Sequence, residues 1–171
     1  YHLEWQQQGA LLRGFLIDVA GHGMATALQT TALSVLLRET ASNGLSLLEQ
    51  IQHLNRQAAK YFSDDSYAAI LAFELDLPQQ ELRWVGAGIT QFYANGVKIE
   101  TPGMFVGMWD DAEFSSGSLP VAEGDTLFFL TDGFTDALAK TGEAFDVAML
   151  ERLAESGELG DDATGVCLRI G

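Results

Sequence analysis

The sequence predicts an α+β fold in which antiparallel sheets carry helices on their outer faces. Strand patterns follow one another through short turns, and one pair of helices interrupts them, so the regular alternation of a doubly wound sheet is missing. The apolar run at residues 67–73 predicts a strand buried on both faces. Two sheets packed face to face, with helices outside, would bury such a strand. We therefore expect a sandwich of two antiparallel sheets flanked by helices.

The first half of the chain predicts a hairpin followed by two helices. Strand patterns at 2–5 and 10–18 flank a turn that contains a glycine. The run 24–41 has no glycine or proline and predicts a helix, which is ended by a glycine shortly afterwards. A second helix, from Ser46 to about residue 62, is predicted by a capping-box sequence and by apolar residues spaced three or four apart.

The second half of the chain predicts mainly strands. Strand patterns lie at residues 67–76, 81–87, 91–94, 97–100, about 113–119, 125–131 and 163–170. The dipeptide Asn95-Gly96 predicts a tight hairpin turn. One short helix, at about 146–155, is expected between the last two strands.

Composition and charge limit what the protein can be. The 171 residues, of which 47% are hydrophobic, are enough for one compact domain with a core. The formal net charge of −15 argues against a nucleic-acid partner and against docking on an anionic membrane, because both rely on lysine and arginine. No apolar run in the sequence approaches the roughly 20 residues of a membrane span. The single cysteine, Cys167, lies in a strand that we expect to be buried; it cannot form an intrachain disulfide, which fits a reducing compartment and a cytoplasmic protein.

Acidic residues stand at the ends of three predicted strands. Asp18 ends the first long strand, Asp132 follows a second strand, and Asp161 with Asp162 precedes the last one. A carboxylate at the end of a buried strand is costly unless a cation or hydrogen-bond donors compensate it. Magnesium and manganese take oxygen ligands of this kind. The three positions therefore predict a site for a hard metal ion.

Each of these residues also has a purely structural interpretation. Asp18 could cap the helix that follows it, and Asp132, before a glycine, could be an ordinary turn residue. Asp161 and Asp162 could form a solvated acidic loop. His22 could serve as a general acid, but a loop histidine that hydrogen-bonds locally is the simpler interpretation.

Six motifs, in their order along the chain, resemble those of one known family. They are Asp18-Val-Ala-Gly-His-Gly23, Leu54-Asn55-Arg56, Leu82-Arg-Trp-Val-Gly-Ala-Gly88, Phe105-Val-Gly-Met108, Glu123-Gly-Asp-Thr-Leu-Phe-Phe-Leu-Thr-Asp-Gly-Phe-Thr-Asp-Ala137 and Asp161-Asp-Ala-Thr164. In this order they resemble the motifs of the bacterial PPM-type serine/threonine phosphatases, metal-dependent enzymes that regulate sporulation and stress sigma factors. Any one of the motifs alone is a weak signal, whereas the ordered set covers nearly the whole chain.

The resemblance implies a four-layer αββα sandwich that holds two divalent cations, manganese or magnesium, at one end. Carried over by position, the catalytic residues are Asp18 and Asp132. Asp18 would bridge both ions, the carbonyl oxygen of Val19 would ligate one of them, and Asp132 and Asp161 would hold the other. Two such ions activate a water molecule that attacks the phosphoserine or phosphothreonine of a protein, without a covalent enzyme intermediate.

One departure from the family pattern leaves a second hypothesis open. The family carries a further metal-binding aspartate, which would fall just before Tyr1. If the full protein lacks that aspartate, the metal pair is crippled and the domain is a degenerate phosphatase-like binding or adaptor module without turnover. An aspartate at that position would favour the enzyme instead.

The resemblance also implies partners and a domain organisation. The expected substrate is a phosphorylated anti-sigma-factor antagonist of the STAS type. An upstream sensory or receiver domain in the same chain would regulate the phosphatase, and no membrane insertion is expected. We expect residues 1–171 to be a single domain that lacks its extreme N-terminal strand and forms the C-terminal part of a longer regulatory protein.

Overall fold

The computed structural model of the protein describes residues 1–6, 9–21, 23–41, 44–62, 66–141, 145–157, 159 and 162–171. In chain order the elements are β1 (His2–Gln6), β2 (Leu11–Val19), α1 (Met24–Ala41), α2 (Leu47–Tyr61), β3 (Ala68–Asp76), β4 (Glu81–Ala87), β5 (Gln91–Ala94), β6 (Val97–Glu100), β7 (Ser115–Pro120), β8 (Thr126–Leu130), α3 (Asp132–Thr141), α4 (Val147–Ser156) and β9 (Gly165–Arg169). Over these ranges the protein has two antiparallel sheets and four helices, which confirms the predicted α+β class. The chain divides into two compact units, Tyr1–Thr90 with Thr101–Pro120, and Gln91–Glu100 with Val121–Gly171. No helix within the described ranges is long and apolar enough to cross a bilayer.

The first unit is a five-stranded sheet in the order β1-β2-β3-β4-β7, against which α1 and α2 pack. Apolar side chains of the helices and of the sheet share one buried cluster. Its members include Phe15, Leu33, Leu37, Ile51, Leu54, Ile70 and Val85. Strand β3 is buried on both faces, as predicted, because the successive residues Ile70 and Leu71 point to opposite faces and are both 0% exposed.

The start of α2 is fixed by its local sequence. The Ser46 hydroxyl oxygen accepts a hydrogen bond from the Glu49 N–H (3.3 Å), and the Glu49 carboxylate accepts one from the Ser46 N–H (2.9 Å). This reciprocal pair is the predicted capping box. It satisfies backbone donors that the start of a helix leaves without an intrahelical partner.

The second unit is a four-stranded sheet in the order β6-β5-β8-β9, with α3 and α4. The two helices and the end of β8 share a buried cluster. It includes Leu130, Phe134, Ala137, Leu138, Met149 and Leu153. The turn between β5 and β6 has positive φ at Asn95 (52°) and Gly96 (77°), as the predicted Asn-Gly hairpin requires.

Two features of the second unit differ from the sequence prediction. Helix α3 was not expected, because Asp132 and Gly133 are typical turn residues; in the structure, the apolar face formed by Phe134, Ala137 and Leu138 holds the helix on its sheet. Cys167 lies in a strand, as predicted, but its side chain is exposed rather than buried. The reason is the alternation along β9, an edge strand on which the neighbouring Val166 takes the buried side.

Candidate metal centre

The end of β2 places Asp18 and Val19 at the rim of the first sheet. Asp18 lies opposite Ala69 of β3, and Val19 lies opposite Ala68. One residue further, the N–H of Ala20 donates to the carbonyl of Tyr67 (2.9 Å). The side chain of Asp18 is half-buried. Pairing with β3 on the last residues of β2 therefore fixes the backbone that carries both predicted metal ligands of this unit.

The loop after β2 separates Asp18 from the start of α1. Gly21 and Gly23 have φ values of +99° and +89°, which favour glycine. The carbonyl of Gly23 accepts the first helical hydrogen bond, from the N–H of Ala27 (3.1 Å). Gly23 thus occupies the N-cap position, and the alternative interpretation of Asp18 as the capping residue is wrong.

Asp132 is the first residue of α3, and its side chain is exposed. One residue, Thr131, separates it from the buried end of β8. Because Asp132 begins a helix, the turn interpretation of this aspartate is wrong. A carboxylate in the first turn of a helix is favoured by the positive end of the helix dipole. The exposed position also leaves the carboxylate accessible to an ion and to a phosphorylated side chain.

Thr131 and Gly133 bring the segments of Asp132 and Asp162 together within the second unit. The N–H of Thr131 donates to the carbonyl of Thr164 (3.0 Å), and the N–H of Thr164 donates to the Thr131 hydroxyl oxygen (2.8 Å). A Cβ added at Gly133 would lie 2.6 Å from the carbonyl oxygen of Asp162, so the two backbones touch there. Thr131 and Gly133 stand in the motif that the sequence analysis names, but no role of their own is predicted for them there. The available signal was a polar residue between an apolar strand and the aspartate.

Two of the residues named in the sequence analysis lie outside the described part of the chain. These are Asp161, the remaining predicted metal ligand, and His22. The structure thus places Asp18 and Val19 at one strand end of the first unit, and Asp132 beside the segment of Asp162 in the second. Among the described residues no three histidine, cysteine, aspartate or glutamate side chains form a metal-binding group.

The chemistry of these donors fits a hard divalent cation. All predicted ligands offer oxygen, which magnesium and manganese prefer over nitrogen or sulfur. Magnesium is usually bound through one or two carboxylates together with substrate phosphates and retained waters, rather than by a closed protein cage. The carboxylates of exposed Asp132 and half-buried Asp18, each within its own unit, are open enough for ligands of this kind.

Comparison with known proteins found a curated relative that matches most of this chain. The chain is 28% identical over 148 residues to the phosphoserine phosphatase RsbP of Bacillus subtilis (strain 168), covering 81% of this chain and 36% of that protein. It therefore spans about a third of the length of the curated relative that it matches. RsbP is a longer protein, and only part of it corresponds to the residues described above.

Solved structures show the same fold. The PP2C phosphatase domain of SpoIIE from Bacillus subtilis, solved with a fragment of its regulatory domain, superposes with a TM-score of 0.80 at 18% identity, over 99% of this chain and 58% of that chain. RsbX in complex with magnesium gives a TM-score of 0.70 at 15% identity, over 99% and 85% of the two chains. Residues 9–170 match the family described as stage II sporulation protein E (SpoIIE). These findings confirm the resemblance seen in the sequence: the chain belongs to the stage II sporulation protein E family of PP2C-type phosphatase domains.

Proposed function

We propose that this chain is a metal-dependent protein serine/threonine phosphatase that acts on a phosphorylated regulatory protein. The observation that carries the proposal is the family match over residues 9–170. It is supported by a relative named as a phosphoserine phosphatase and by the oxygen donors at the strand ends. The substrate class that we propose is a STAS-type anti-sigma-factor antagonist, in keeping with the sigma-factor regulators that the sequence motifs resemble.

The metal ions that we propose are two divalent cations, manganese or magnesium. The magnesium in the solved RsbX structure supports this choice. Asp18 and the carbonyl of Val19 would hold them from the first unit, and Asp132 and Asp161 from the second. When bound, the ions would supply charge to neutralise the phosphoryl group and would make water more acidic.

The residues of the chain prepare this site before any substrate arrives. Pairing of β2 with β3 fixes the backbone of Asp18 and Val19. The Thr131 hydroxyl holds the start of β9 against the end of β8, so that Asp132 stays beside the segment of Asp162. Preorganised charged groups stabilise a transition state without the cost of reorientation during the reaction. The protein's part in catalysis is thus to position and orient, which suits phosphoryl transfer.

The setting that we propose is a cytoplasmic regulatory protein. Residues 1–171 would form one phosphatase domain behind an upstream sensory or receiver domain of the same chain. The greater length of RsbP, of which this chain matches 36%, supports such an arrangement.

The test is phosphate release from a phosphoserine protein by the full-length protein. We expect activity to disappear in excess chelator and to return with manganese. Asp132→Asn should abolish activity at any manganese concentration. Asp136→Asn is the matched control, because Asp136 is an exposed aspartate one turn further along α3. Activity that persists in chelator would rule out the mechanism. A full-length protein that binds the phosphoprotein but releases no phosphate would establish the alternative, a binding or adaptor module.

A further inference from the structure

The side chain of Asn55 on α2 is buried and bonded to a single loop. It is 1% exposed. Its amide nitrogen donates to the carbonyls of Trp109 (2.7 Å) and Asp110 (3.3 Å), and its amide oxygen accepts from the N–H of Gly107 (2.8 Å). An amide offers two donors and one acceptor oxygen. Both ends of the Asn55 side chain are therefore used to hold the segment 107–110 against α2.

The same loop is bonded on its other side to β3. The N–H of Ala68 donates to the carbonyl of Val106 (2.9 Å), and the N–H of Val106 donates to the carbonyl of Ala68 (2.9 Å). Ala68 in turn lies opposite Val19 of β2, and the following residue, Ala69, lies opposite Asp18. A continuous path of hydrogen bonds and strand pairing thus leads from Asn55 to the end of β2.

The loop also packs tightly against the last turns of α2. A Cβ added at Gly107 would lie 2.6 Å from the Phe62 ring and 3.3 Å from Ala58, and the φ of Gly107 is +86°. Only glycine fits both the contact and the backbone conformation. The loop therefore has little freedom to shift relative to α2 while Asn55 holds it.

From these contacts we propose that Asn55 is a positioning residue of the candidate metal centre. Through the loop it fixes the end of β2, and with it the placement of Asp18 and Val19. The part of this inference that concerns metal ions rests on the function proposed above. The proposal gives Asn55, in the Leu54-Asn55-Arg56 motif, a physical role. It couples α2 to the end of β2 that carries Asp18 and Val19, so that one cannot shift without the other.

The test compares two buried amides of α2 in the full-length protein. Asn55→Leu removes the three bonds to the loop and keeps the branched shape of the side chain. Gln50→Met is the matched control: Gln50 is 0% exposed, and its amide nitrogen donates to Leu45 (2.7 Å), outside the loop. Amide hydrogen exchange is measured at Ala20, Ala68 and Val106. We expect Asn55→Leu to speed exchange at these three amides by about 10- to 100-fold, because losing these hydrogen bonds lowers the free energy of local opening. Gln50→Met should leave the exchange rates unchanged.

Manganese binding, followed by electron paramagnetic resonance of the free ion, provides the second measurement. Asn55→Leu should weaken binding by about 10- to 100-fold, as the loss of groups that orient metal ligands does, because the end of β2 that carries Asp18 and Val19 is then held less firmly. Gln50→Met should leave binding unchanged. Unchanged exchange in Asn55→Leu, or equal changes in both variants, would overturn the role of Asn55. Faster exchange with unaltered manganese affinity would overturn its link to the metal. A parent protein that binds no manganese would refute the proposed function, while the exchange comparison would still decide whether Asn55 holds the end of β2.

Discussion

The chemistry of the candidate centre is decided by individual carboxylates, and Asp18 is the one that bears most on the proposal. It stands on the last paired residues of β2, half-buried, and its backbone is fixed by the pairing with β3. We expect Asp18→Asn to lower turnover by about 10²- to 10⁴-fold, as the loss of a key catalytic group does. The unfolding temperature of the metal-free protein should change little or rise, because in the centre that we propose the carboxylates would repel one another when no metal is bound.

The measurements for Asp18→Asn are phosphate release at saturating manganese and thermal unfolding in chelator. A lower unfolding temperature of Asp18→Asn, together with unaltered specific activity of the folded protein, would show that Asp18 has a structural role instead of a catalytic one.

Because Gly133 has no side chain, the backbone at the start of α3 can approach the backbone at Asp162 closely. A Cβ there would lie 2.6 Å from the carbonyl oxygen of Asp162, so we expect Gly133→Ala to push the two segments apart. The strain should destabilise the protein by about 1–3 kcal/mol, as overpacking does, and manganese should bind more weakly.

The matched control for Gly133→Ala is Gly165→Ala. Its methyl group would meet only side-chain atoms of Leu130 and Phe134, at 3.1 Å and 3.4 Å. Thermal unfolding and manganese titration of both variants check the prediction, and equal manganese affinity in the two would contradict it.

Cys167 shows no feature of a catalytic cysteine. Although its side chain is exposed on β9, partial burial of the sulfur raises the pKa of the thiol above its ordinary value. A cysteine nucleophile needs a lowered pKa, since the thiolate is the reactive form. The environment of this thiol therefore does not favour a role as nucleophile.

At the level of elements, local sequence predicts some helices and not others. Helix α2 carries its own start signal, the Ser46–Glu49 capping box, and a regular apolar face, and both are found in the structure. Helix α3 begins with Asp132 and Gly133, whose local preference is for a turn. That glycine is required by the backbone of a distant segment, at Asp162, which no local pattern reveals. The missed element thus coincides with the candidate site, where tertiary contact overrides local propensity.

The helix pair α1 and α2 is the element through which we propose that regulation acts. On α1 the large apolar side chains of Met24 (82%), Leu28 (66%) and Val35 (50%) are exposed along one face. We propose that this face contacts the upstream domain proposed above. A shift of the pair would move the end of β2, and the affinity for metal would then depend on the state of the sensor. We expect the manganese concentration for half-maximal activity to differ between sensor states of the full-length protein.

Manganese titrations in the two sensor states, with the isolated domain beside them, test this coupling. Identical curves in all three samples would contradict it. If the manganese dependence of a Leu28→Ser variant still changes with the state of the sensor, the exposed face of α1 is not the contact surface.

For the molecule as a whole, the sequence predicts the fold class, most strand and helix bounds and the family. Hydrophobic periodicity, turn residues and a capping box predict most of the strands and helices of each unit. The order of the strands is not a local property: β7 pairs with β4, and β8 with β5, across intervening elements. The metal ligands that we propose lie more than one hundred residues apart in the sequence. Their positions at strand ends predict a metal site, and the resemblance to a family assigns each of them its role.

The central proposal is that Asp18 and Asp132 are both ligands of divalent metal ions. Direct manganese binding to the full-length protein, measured by electron paramagnetic resonance, tests it without relying on activity. We predict that Asp18→Asn and Asp132→Asn each weaken manganese binding by more than about tenfold, and that Asp136→Asn binds as the parent does. Parent-like binding in both ligand variants, or no binding in the parent, would contradict the proposal.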